Sequence, residues 1–155
     1  MIRKLNEEED YPWSLLLDAD PDKAIVEGYL YESQVLVYEE DKRLIGIVVF
    51  QQHQDGWEVM NLAVASDCQN RGIGRQLLQA VESTIVRVCN LQSPITLWIK
   101  TGDISSSARS LYQRQGFVVC SRQKDYFIKH YATPIYEDGQ QLFDQITMVK
   151  TLTDS

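Results

Sequence analysis

The chain has 155 residues, of which 44% are hydrophobic and 24% are charged, and its formal net charge is −7. This length and composition predict one globular domain, spanning residues 1–155, with a core of its own. No apolar run approaches the ~18 residues of a membrane-spanning helix, and the acidic start of the chain lacks the apolar stretch of a secretory signal. We therefore expect a cytoplasmic protein that has no membrane partner.

The first part of the chain predicts a strand, two helices and then three strands. Asp10 is a candidate N-cap of the first helix. Asp20, followed by Pro21 at the first helical position, is a candidate N-cap of the second. A polar turn over residues 51–56 separates the last two strands. The four strands are predicted at residues 1–5, 34–38, 43–50 and 57–64.

The rest of the chain alternates helices and strands. A helix over residues 72–88 is indicated by apolar side chains at helical spacing, and a second helix ends at Gly116 as a left-handed C′ residue. A hairpin turn is predicted at residues 137–139. Strands are predicted at residues 94–100, 117–121 and 145–152. The order βααβββαβαββ predicts an α/β (α+β) fold, with one mixed, mostly antiparallel sheet of about seven strands and helices on both faces.

The negative charge is concentrated near the N-terminus. Residues 1–41 carry twelve acidic and three basic side chains, whereas residues 42–155 carry ten acidic and twelve basic ones. This acidic third argues against nucleic acid as the partner, because binding requires cations that displace phosphate counterions. It is either a solvated acidic surface or a surface that attracts a cationic substrate.

A glycine-containing turn between a strand and a helix is a candidate phosphate site. Gly72 and Gly74 lie between Arg71 and Arg75 at the predicted start of the helix. Backbone N–H groups at a helix start have no intrahelical partner, and the helix dipole makes this end partly positive. Glycine lets a ligand approach these N–H groups, and arginine adds charge that matches phosphate. The turn therefore predicts a pyrophosphate site.

Two sequence blocks resemble those of the GCN5-related N-acetyltransferases. Residues 69–74 (QNRGIG) match the family signature Q-x-x-G-x-G, and residues 108–117 (ARSLYQRQGF) resemble its A-x-x-L-Y-x-x-x-G-F block. The predicted order of elements is also that of the family. The dinucleotide-binding fingerprint G-x-G-x-x-G is not met, because Leu77 takes the place of its third glycine.

The resemblance implies that acetyl-CoA is the cofactor, held where the fourth and fifth strands splay apart. The backbone of the fourth strand would bind the pantetheine arm through Leu62, Ala63 and Val64. The pyrophosphate would be held by Gln69, Asn70, Arg71, Gly72, Ile73, Gly74 and Arg75. Many members contact the CoA arm with an asparagine, and Ser105 stands in that position here, with Asp103 and Ser106 as nearby alternatives.

The same resemblance implies two candidates for acid–base chemistry. Tyr112 matches the tyrosine that protonates the sulfur of the leaving CoA in many members, although a tyrosine on an apolar helix face can also serve packing alone. Glu58, three residues before Asn61, matches a glutamate that acts as a base through water. Its alternative is a surface carboxylate at a strand end. The oxyanion would be stabilised by the backbone N–H near Leu62 or Ala63.

Other reactive or aromatic side chains have less specific interpretations. His53 is predicted to be a solvated loop histidine, and His130 either packs locally or faces the substrate. The three cysteines lack metal-ligand spacing, which predicts reduced thiols and no metal. Cys68 is not expected to be a nucleophile, because family members transfer the acetyl group directly. The helical segment near the N-terminus supplies three aromatic residues that either pack or line the acceptor pocket, Trp13, Tyr29 and Tyr31.

We therefore predict an acetyl-CoA-dependent N-acetyltransferase that moves the acetyl group directly to a primary amine. The acidic N-terminal third, which supplies acceptor-side residues in the family, favours a cationic small molecule. The alternatives are an amine of a protein or peptide, and a non-catalytic domain that binds acyl-CoA as a sensor. Another acyl group and a homodimer are further options.

Overall fold

The secondary structure comes from a computed structural model that describes residues 1–89 and 93–153. Within those residues the strands are β1 (Ile2–Lys4), β2 (Gln34–Glu40), β3 (Arg43–His53), β4 (Gly56–Val64), β5 (Ile95–Gly102), β6 (Val118–Gln123), β7 (Tyr136–Glu137), β8 (Gln140–Gln141) and β9 (Gln145–Leu152). The helices are α1 (Trp13–Ala19), α2 (Lys23–Leu30), α3 (Ile73–Cys89), α4 (Ser106–Arg114) and α5 (Tyr126–His130). None of the helices in these two ranges is both long enough and apolar enough to cross a membrane.

Seven of the strands form one sheet, in the order β1-β2-β3-β4-β5-β9-β6. Its neighbouring strands run antiparallel except β4 and β5, which are parallel and are connected through α3. β7 and β8 form a separate hairpin around the turn predicted at residues 137–139. The predicted mixed, mostly antiparallel sheet of seven strands is confirmed.

The sheet carries helices on both faces, because successive side chains of a strand point to opposite sides. A Cβ added to Gly46 would lie 3.1 Å from the side chains of Ile73 and Leu77, so one side of β3 faces α3. On β4, Asn61 donates from Nδ2 to the carbonyl oxygen of Leu16 in α1 at 3.1 Å, so α1 covers the other side. The central stretch of β3 is buried between these two layers.

The two N-terminal helices begin later than predicted. The first follows Pro12, which makes no side-chain cap, instead of starting at Asp10. The second is capped by Asp22, whose carboxylate accepts from an N–H of the first turn at 3.2 Å, so the prediction of Asp20 as its N-cap is wrong. Asp20 instead accepts a hydrogen bond from the hydroxyl of Tyr131, 111 positions away, which no local pattern encodes.

Two segments without a predicted helix or strand contain regular structure. β3 continues to His53, so the turn after it is residues 54–55 instead of residues 51–56. The polar side chains at this end of the hairpin lack the apolar alternation by which a strand is recognised from sequence. The five-residue helix α5 also has no counterpart in the prediction. It is too short to show a helical repeat of apolar residues.

Candidate active site

A gap opens between β4 and β5 in the middle of the sheet. Both strands continue beyond their last paired residues, Val59 and Ile99. Met60 has no partner on β3, because Val59 and Asn61 stand opposite consecutive residues of that strand. Such a β-bulge bends its strand and increases the local twist. β4 therefore turns away from β5 directly after their last contact, which matches the splay that the family resemblance implies.

The backbone of β4 beyond the bulge presents hydrogen-bonding groups to this gap. The Ala65 N–H donates to the carbonyl oxygen of Ile45 in β3 at 2.8 Å. Because alternate residues of an antiparallel strand bond to the same neighbour, Ala63 also bonds to β3. The N–H groups of Leu62 and Val64 then point toward the gap. Of the three residues predicted to bind the pantetheine arm, these two carry available N–H groups, and Leu62 is favoured over Ala63 as the oxyanion donor.

The turn before α3 brings a helix start to the edge of the gap. Asn70 and Gly72 have left-handed φ angles of 63° and 80°, which redirect the chain so that α3 begins at the next residue. Glycine adopts such an angle without steric strain. A Cβ added to Gly74 would lie 3.2 Å from Leu111 Cδ2 on α4 and 4.0 Å from Val64 Cγ2. The first N–H groups of α3, which lack intrahelical partners, therefore lie beside the end of β4.

Other residues of the predicted pyrophosphate loop fix its shape. Gln69 donates from Nε2 to the carbonyl oxygen of Val64 at 3.2 Å, which ties the loop to β4. The Ile73 side chain is buried, so only its backbone can face a ligand. Just before the loop, the Arg43 guanidinium donates to both carboxylate oxygens of Asp67, at 2.8 and 2.9 Å. These contacts tie the loop to β4 and the residue pair before it to β3.

The two arginines of the loop differ in their partners. Arg71 forms an ion pair with Glu40 on β2 through contacts of 2.5 and 3.2 Å, and its guanidinium lowers the pKa of the Glu40 carboxyl. Among residues 1–89 and 93–153, Arg75 has no ion-pair partner. Its guanidinium lies 3.2 Å from where a Cβ on Gly72 would be. Arg75 is therefore the more available cation for a phosphate group.

Tyr112 is placed by α4 near the same helix start. Its neighbour Leu111 contacts Gly74, and its own ring packs edge-on against Phe117 with centroids 6.2 Å apart. Burial raises the pKa of the Tyr112 phenol, and the negative charge of Glu137 adds to this effect. The phenol therefore keeps its proton at neutral pH, as a general acid must.

Ser105 stands at the N-cap position of α4 but does not cap the helix. Its hydroxyl donates instead to a carboxylate oxygen of Glu137 on β7. Of the two alternatives, Asp103 accepts from the Phe143 N–H at 3.2 Å, and the side chain of Ser106 lies outside the described part of the structure. Glu137 was not predicted as a site residue, because it lies outside both family blocks and 32 positions from Ser105.

Glu58 is buried, so the alternative of a surface carboxylate is wrong. Its Oε1 lies 2.8 Å from Nε2 of His53 at the end of β3, and its Oε2 lies 3.4 Å from Nζ of Lys100 on β5. The prediction of His53 as a solvated loop residue is also wrong, because β3 extends to it. Gln51, which stands opposite Glu58, accepts from the Ser33 hydroxyl just after α2 at 2.8 Å. Glu58 thus shares the face of the sheet that α2 covers.

This face, covered by α1 and α2 and here called the acceptor face, carries further polar side chains. Asn61 donates from Nδ2 to the Leu16 carbonyl oxygen and to the Tyr29 hydroxyl, both at 3.1 Å. Burial raises the pKa of Tyr29 to about 12. Asp20 accepts from the Tyr131 hydroxyl at 3.0 Å, and burial raises the pKa of its carboxyl. Of these residues, Tyr29 was predicted as a pocket candidate from the sequence, whereas Asp20 and Tyr131 were not.

The remaining candidates serve packing or lie on the surface. Tyr31 is 58% exposed, and its hydroxyl donates to a carboxylate oxygen of Glu27 in α2 at 2.9 Å. The ring of Trp13 is half-buried, with Nζ of Lys23 4.6 Å from its centroid. His130 is exposed on α5 and stacks on Tyr126 with ring centroids 4.3 Å apart. This stacking favours the packing interpretation of His130 over a substrate-side role.

Comparison of the sequence with known proteins identifies a family and a relative. Residues 31–119 match a family model described as an acetyltransferase (GNAT) domain. The chain is 33% identical over 144 residues to the uncharacterised N-acetyltransferase YvbK of Bacillus subtilis. This match covers 92% of the chain and 90% of the relative, so it extends over nearly the whole of both proteins.

Solved structures that share the fold include two with acetyl-CoA or CoA bound. A GNAT family acetyltransferase from Elizabethkingia anophelis with acetyl-CoA bound has a TM-score of 0.88 and 31% identity, over 98% of this chain and 97% of that chain. A Bacillus subtilis acetyltransferase in complex with CoA has a TM-score of 0.82 and 33% identity, over 97% of each chain. Both matches therefore include the β4–β5 gap and the loop before α3.

Proposed function

Because the chain belongs to the GNAT acetyltransferase family and is an acetyl-CoA-dependent N-acetyltransferase, we propose that it transfers the acetyl group directly to the primary amine of a small cation. The observation that carries the proposal is the gap between β4 and β5, with the Leu62 and Val64 N–H groups along it and the start of α3 beside it. Direct transfer is supported by the burial of Cys68, the thiol of the adjoining turn.

In this proposal acetyl-CoA supplies the acetyl group as a thioester, and the chain binds it largely through its backbone. Leu62 and Val64 bind the pantetheine arm as a sheet edge binds an added strand. The first turn of α3, after Gly72, faces the pyrophosphate with free N–H groups, and the Arg75 guanidinium adds positive charge. Ser105, at the start of α4, contacts the same arm. The remaining predicted loop residues, Gln69, Asn70, Arg71, Ile73 and Gly74, shape this site.

Three groups of the chain carry out the chemistry. Glu58 accepts, through water, the proton that the ammonium group must lose before its nitrogen can attack the thioester carbon. The Leu62 N–H donates to the carbonyl oxygen as that oxygen becomes negative. Tyr112 gives its proton to the sulfur as the C–S bond breaks, and its phenol is restored by the second proton, which the nitrogen loses as the amide forms. The burial that keeps the phenol protonated suits this role.

A cationic acceptor is supported by carboxylates on the acceptor face. Asp20 accepts hydrogen bonds from the Tyr131 hydroxyl and the Asp22 N–H, and within the described ranges it has no ion-pair partner. Three other acids of the N-terminal third form ion pairs, Glu9 and Glu39 with Arg3 and Glu40 with Arg71. A cation approaching the acceptor face would therefore meet Asp20, which has no ion-pair partner in the described part of the chain, whereas Glu58 already pairs with Lys100.

An amine panel assayed with acetyl-CoA, and read by thiol release, tests this function. The panel contains small polyamines, neutral monoamines with one primary amine, and peptides with a free N-terminus or lysine. We expect the highest kcat/KM for small polycations, with the preference lost at high salt because ions screen charges. A preference for peptides would show that the acceptor is an amine of a protein or peptide instead of a small cation. Tight binding of acetyl-CoA without thiol release from any amine would overturn the proposal in favour of a sensor.

A pair of tyrosine variants tests the assigned acid. Tyr112→Phe keeps the packing against Phe117 and removes the hydroxyl, so we expect kcat to fall by about 10²-fold while the KM for acetyl-CoA changes little. Tyr38→Phe is the matched control, because Tyr38 lies on β2, two strands from β4. Equal turnover of the two variants would remove Tyr112 from the mechanism.

A further inference from the structure

Glu58 is held between two donors that reach it from the neighbouring strands on either side. His53 Nε2 on β3 lies 2.8 Å from Oε1, and Lys100 Nζ on β5 lies 3.4 Å from Oε2. When Glu58 is ionised it has no hydrogen to donate, so the His53 tautomer that suits this contact is the one with the hydrogen on Nε2. The two side chains therefore bracket the carboxylate, one at each oxygen, across three adjacent strands of the sheet.

The two donors bear on the charge of Glu58 because its carboxylate is almost enclosed by the protein. The Glu58 side chain is only 11% exposed, against 36% for His53 and 43% for Lys100. Burial disfavours the charged form of a carboxyl group, whereas hydrogen bonds from N–H donors and a nearby cation favour it. A carboxyl group must be ionised to accept a proton. The two donors therefore offset the effect of burial on the group assigned as the base.

We propose that His53 and Lys100 are positioning residues that keep Glu58 ionised and oriented toward the β4–β5 gap during acetyl transfer. The inference rests on the proposed function, in which Glu58 is the base. Neither family block contains the two donors. Lys100 directly follows Ile99, where the pairing of β4 with β5 ends. Asp20, Tyr29 and Tyr131 are further titratable groups placed on this face.

Two pairs of substitutions separate the donor role from simple packing. His53→Leu and Lys100→Met remove the donors and keep most of the side-chain volume. His53→Gln and Lys100→Arg keep an N–H donor or the positive charge. Gln52→Leu, at an exposed position of β3, and Lys124→Met, in the exposed turn after β6, are matched controls.

The pH dependence of kcat/KM is the readout that a packing role would not move. In His53→Leu and Lys100→Met we expect the acidic limb to shift to higher pH by about one unit, which is about a tenfold loss of rate below the limb. The alkaline plateau and the KM for acetyl-CoA should stay near those of the wild type. The conservative variants and the controls should keep the wild-type profile. A rate lowered equally at every pH, with the limb unmoved, would overturn the inference.

Carbon-13 NMR of the Glu58 carboxyl group tests the effect of the two donors directly, without an activity measurement. Its titration midpoint should move to higher pH in His53→Leu and Lys100→Met, and an unmoved midpoint would contradict the inference even in an active enzyme. Glu58→Gln with undiminished turnover would exclude Glu58 as the base and, with it, the role of both donors. A wild type that is inactive with every amine would instead refute the proposed function, whatever the NMR result.

Discussion

Replacing Gly56 by alanine tests how closely β4 approaches β5 where their pairing begins. Gly56 has a φ of 154°, a backbone conformation that residues with a side chain rarely adopt. A Cβ at this position would lie 2.4 Å from the carbonyl oxygen of Thr96 and 2.8 Å from the Trp98 ring. The Thr96 oxygen belongs to the backbone of the neighbouring strand and cannot rotate away. Either β4 or β5 must therefore shift.

The expected destabilisation of Gly56→Ala combines the strain of this backbone conformation with the steric overlap of the added Cβ. A side chain in a backbone region reserved for glycine destabilises by about 1–3 kcal/mol, and overpacking a close contact destabilises by about 1–3 kcal/mol. Since one movement of the strand relieves part of both, we expect the free energy of unfolding to fall by about 2–5 kcal/mol. For a chain of this length that lowers Tm by roughly 10 °C. The protein stays folded at 25 °C if its stability lies within the usual ~5–15 kcal/mol.

Urea unfolding followed by circular dichroism measures this change, and Gly28→Ala provides the matched control. Gly28 lies in α2, and a Cβ there would have no atom within 4 Å. Alanine is favoured over glycine inside a helix, so Gly28→Ala should raise the free energy of unfolding by about 0.5–1 kcal/mol. Opposite signs for the two variants are the expected result. A Gly56→Ala protein as stable as the wild type would refute the reasoning.

Three further substitutions have defined outcomes. Glu40→Gln releases Arg71 from its ion pair and should tighten CoA binding by less than about fivefold in calorimetry, with the gain shrinking at high salt; weaker binding would show that Glu40 does not compete with the ligand. Asp22→Ala removes the N-cap of α2 and should lower the free energy of unfolding by about 1 kcal/mol, whereas Asp22→Asn, which can still cap, should not. Asp20→Asn removes a carboxyl whose pKa burial raises, so the ionised form is unfavourable in the folded state. The variant should be more stable than the wild type at pH 7. This advantage should shrink as the pH falls through the raised pKa of folded Asp20 toward the unfolded value near ~4, and below that pH Asp20 is protonated in both states; an advantage that persists or grows toward pH 3 would contradict this.

Features that depend on local pattern could be predicted from the sequence. The apolar repeat of α3 requires only residues three or four positions apart, and the structure places that helix at Ile73–Cys89. Gly116 is confirmed as the residue after the C-cap of α4. The loop with Gly72 and Gly74 is also local, because the glycines and the helix they precede are adjacent in the chain. The order of helices and strands along the chain then follows from placing such elements one after another.

Contacts between distant segments could not be predicted in this way. The pairing of His53 with Glu58 depends on how far the β3–β4 hairpin extends, and polar residues at its end have the composition of a turn. Asp20 has the local features of an N-cap, yet its hydroxyl partner is Tyr131, 111 positions away. Such contacts depend on the register and packing of the whole sheet, which cannot be inferred from local patterns in a single sequence.

Beyond Met60, alternate backbone amides of β4 point toward β3 and toward the gap. Hydrogen exchange should therefore divide these amides into two classes. The Ala63 amide is bonded to β3 and exchanges only when that ladder opens, whereas the amides of Leu62 and Val64 can exchange from the folded protein. A pantetheine arm in the gap stands where a strand is missing, so it would slow these two amides and leave Ala63 unchanged. The protection pattern along this short stretch would therefore record, residue by residue, whether the gap is filled.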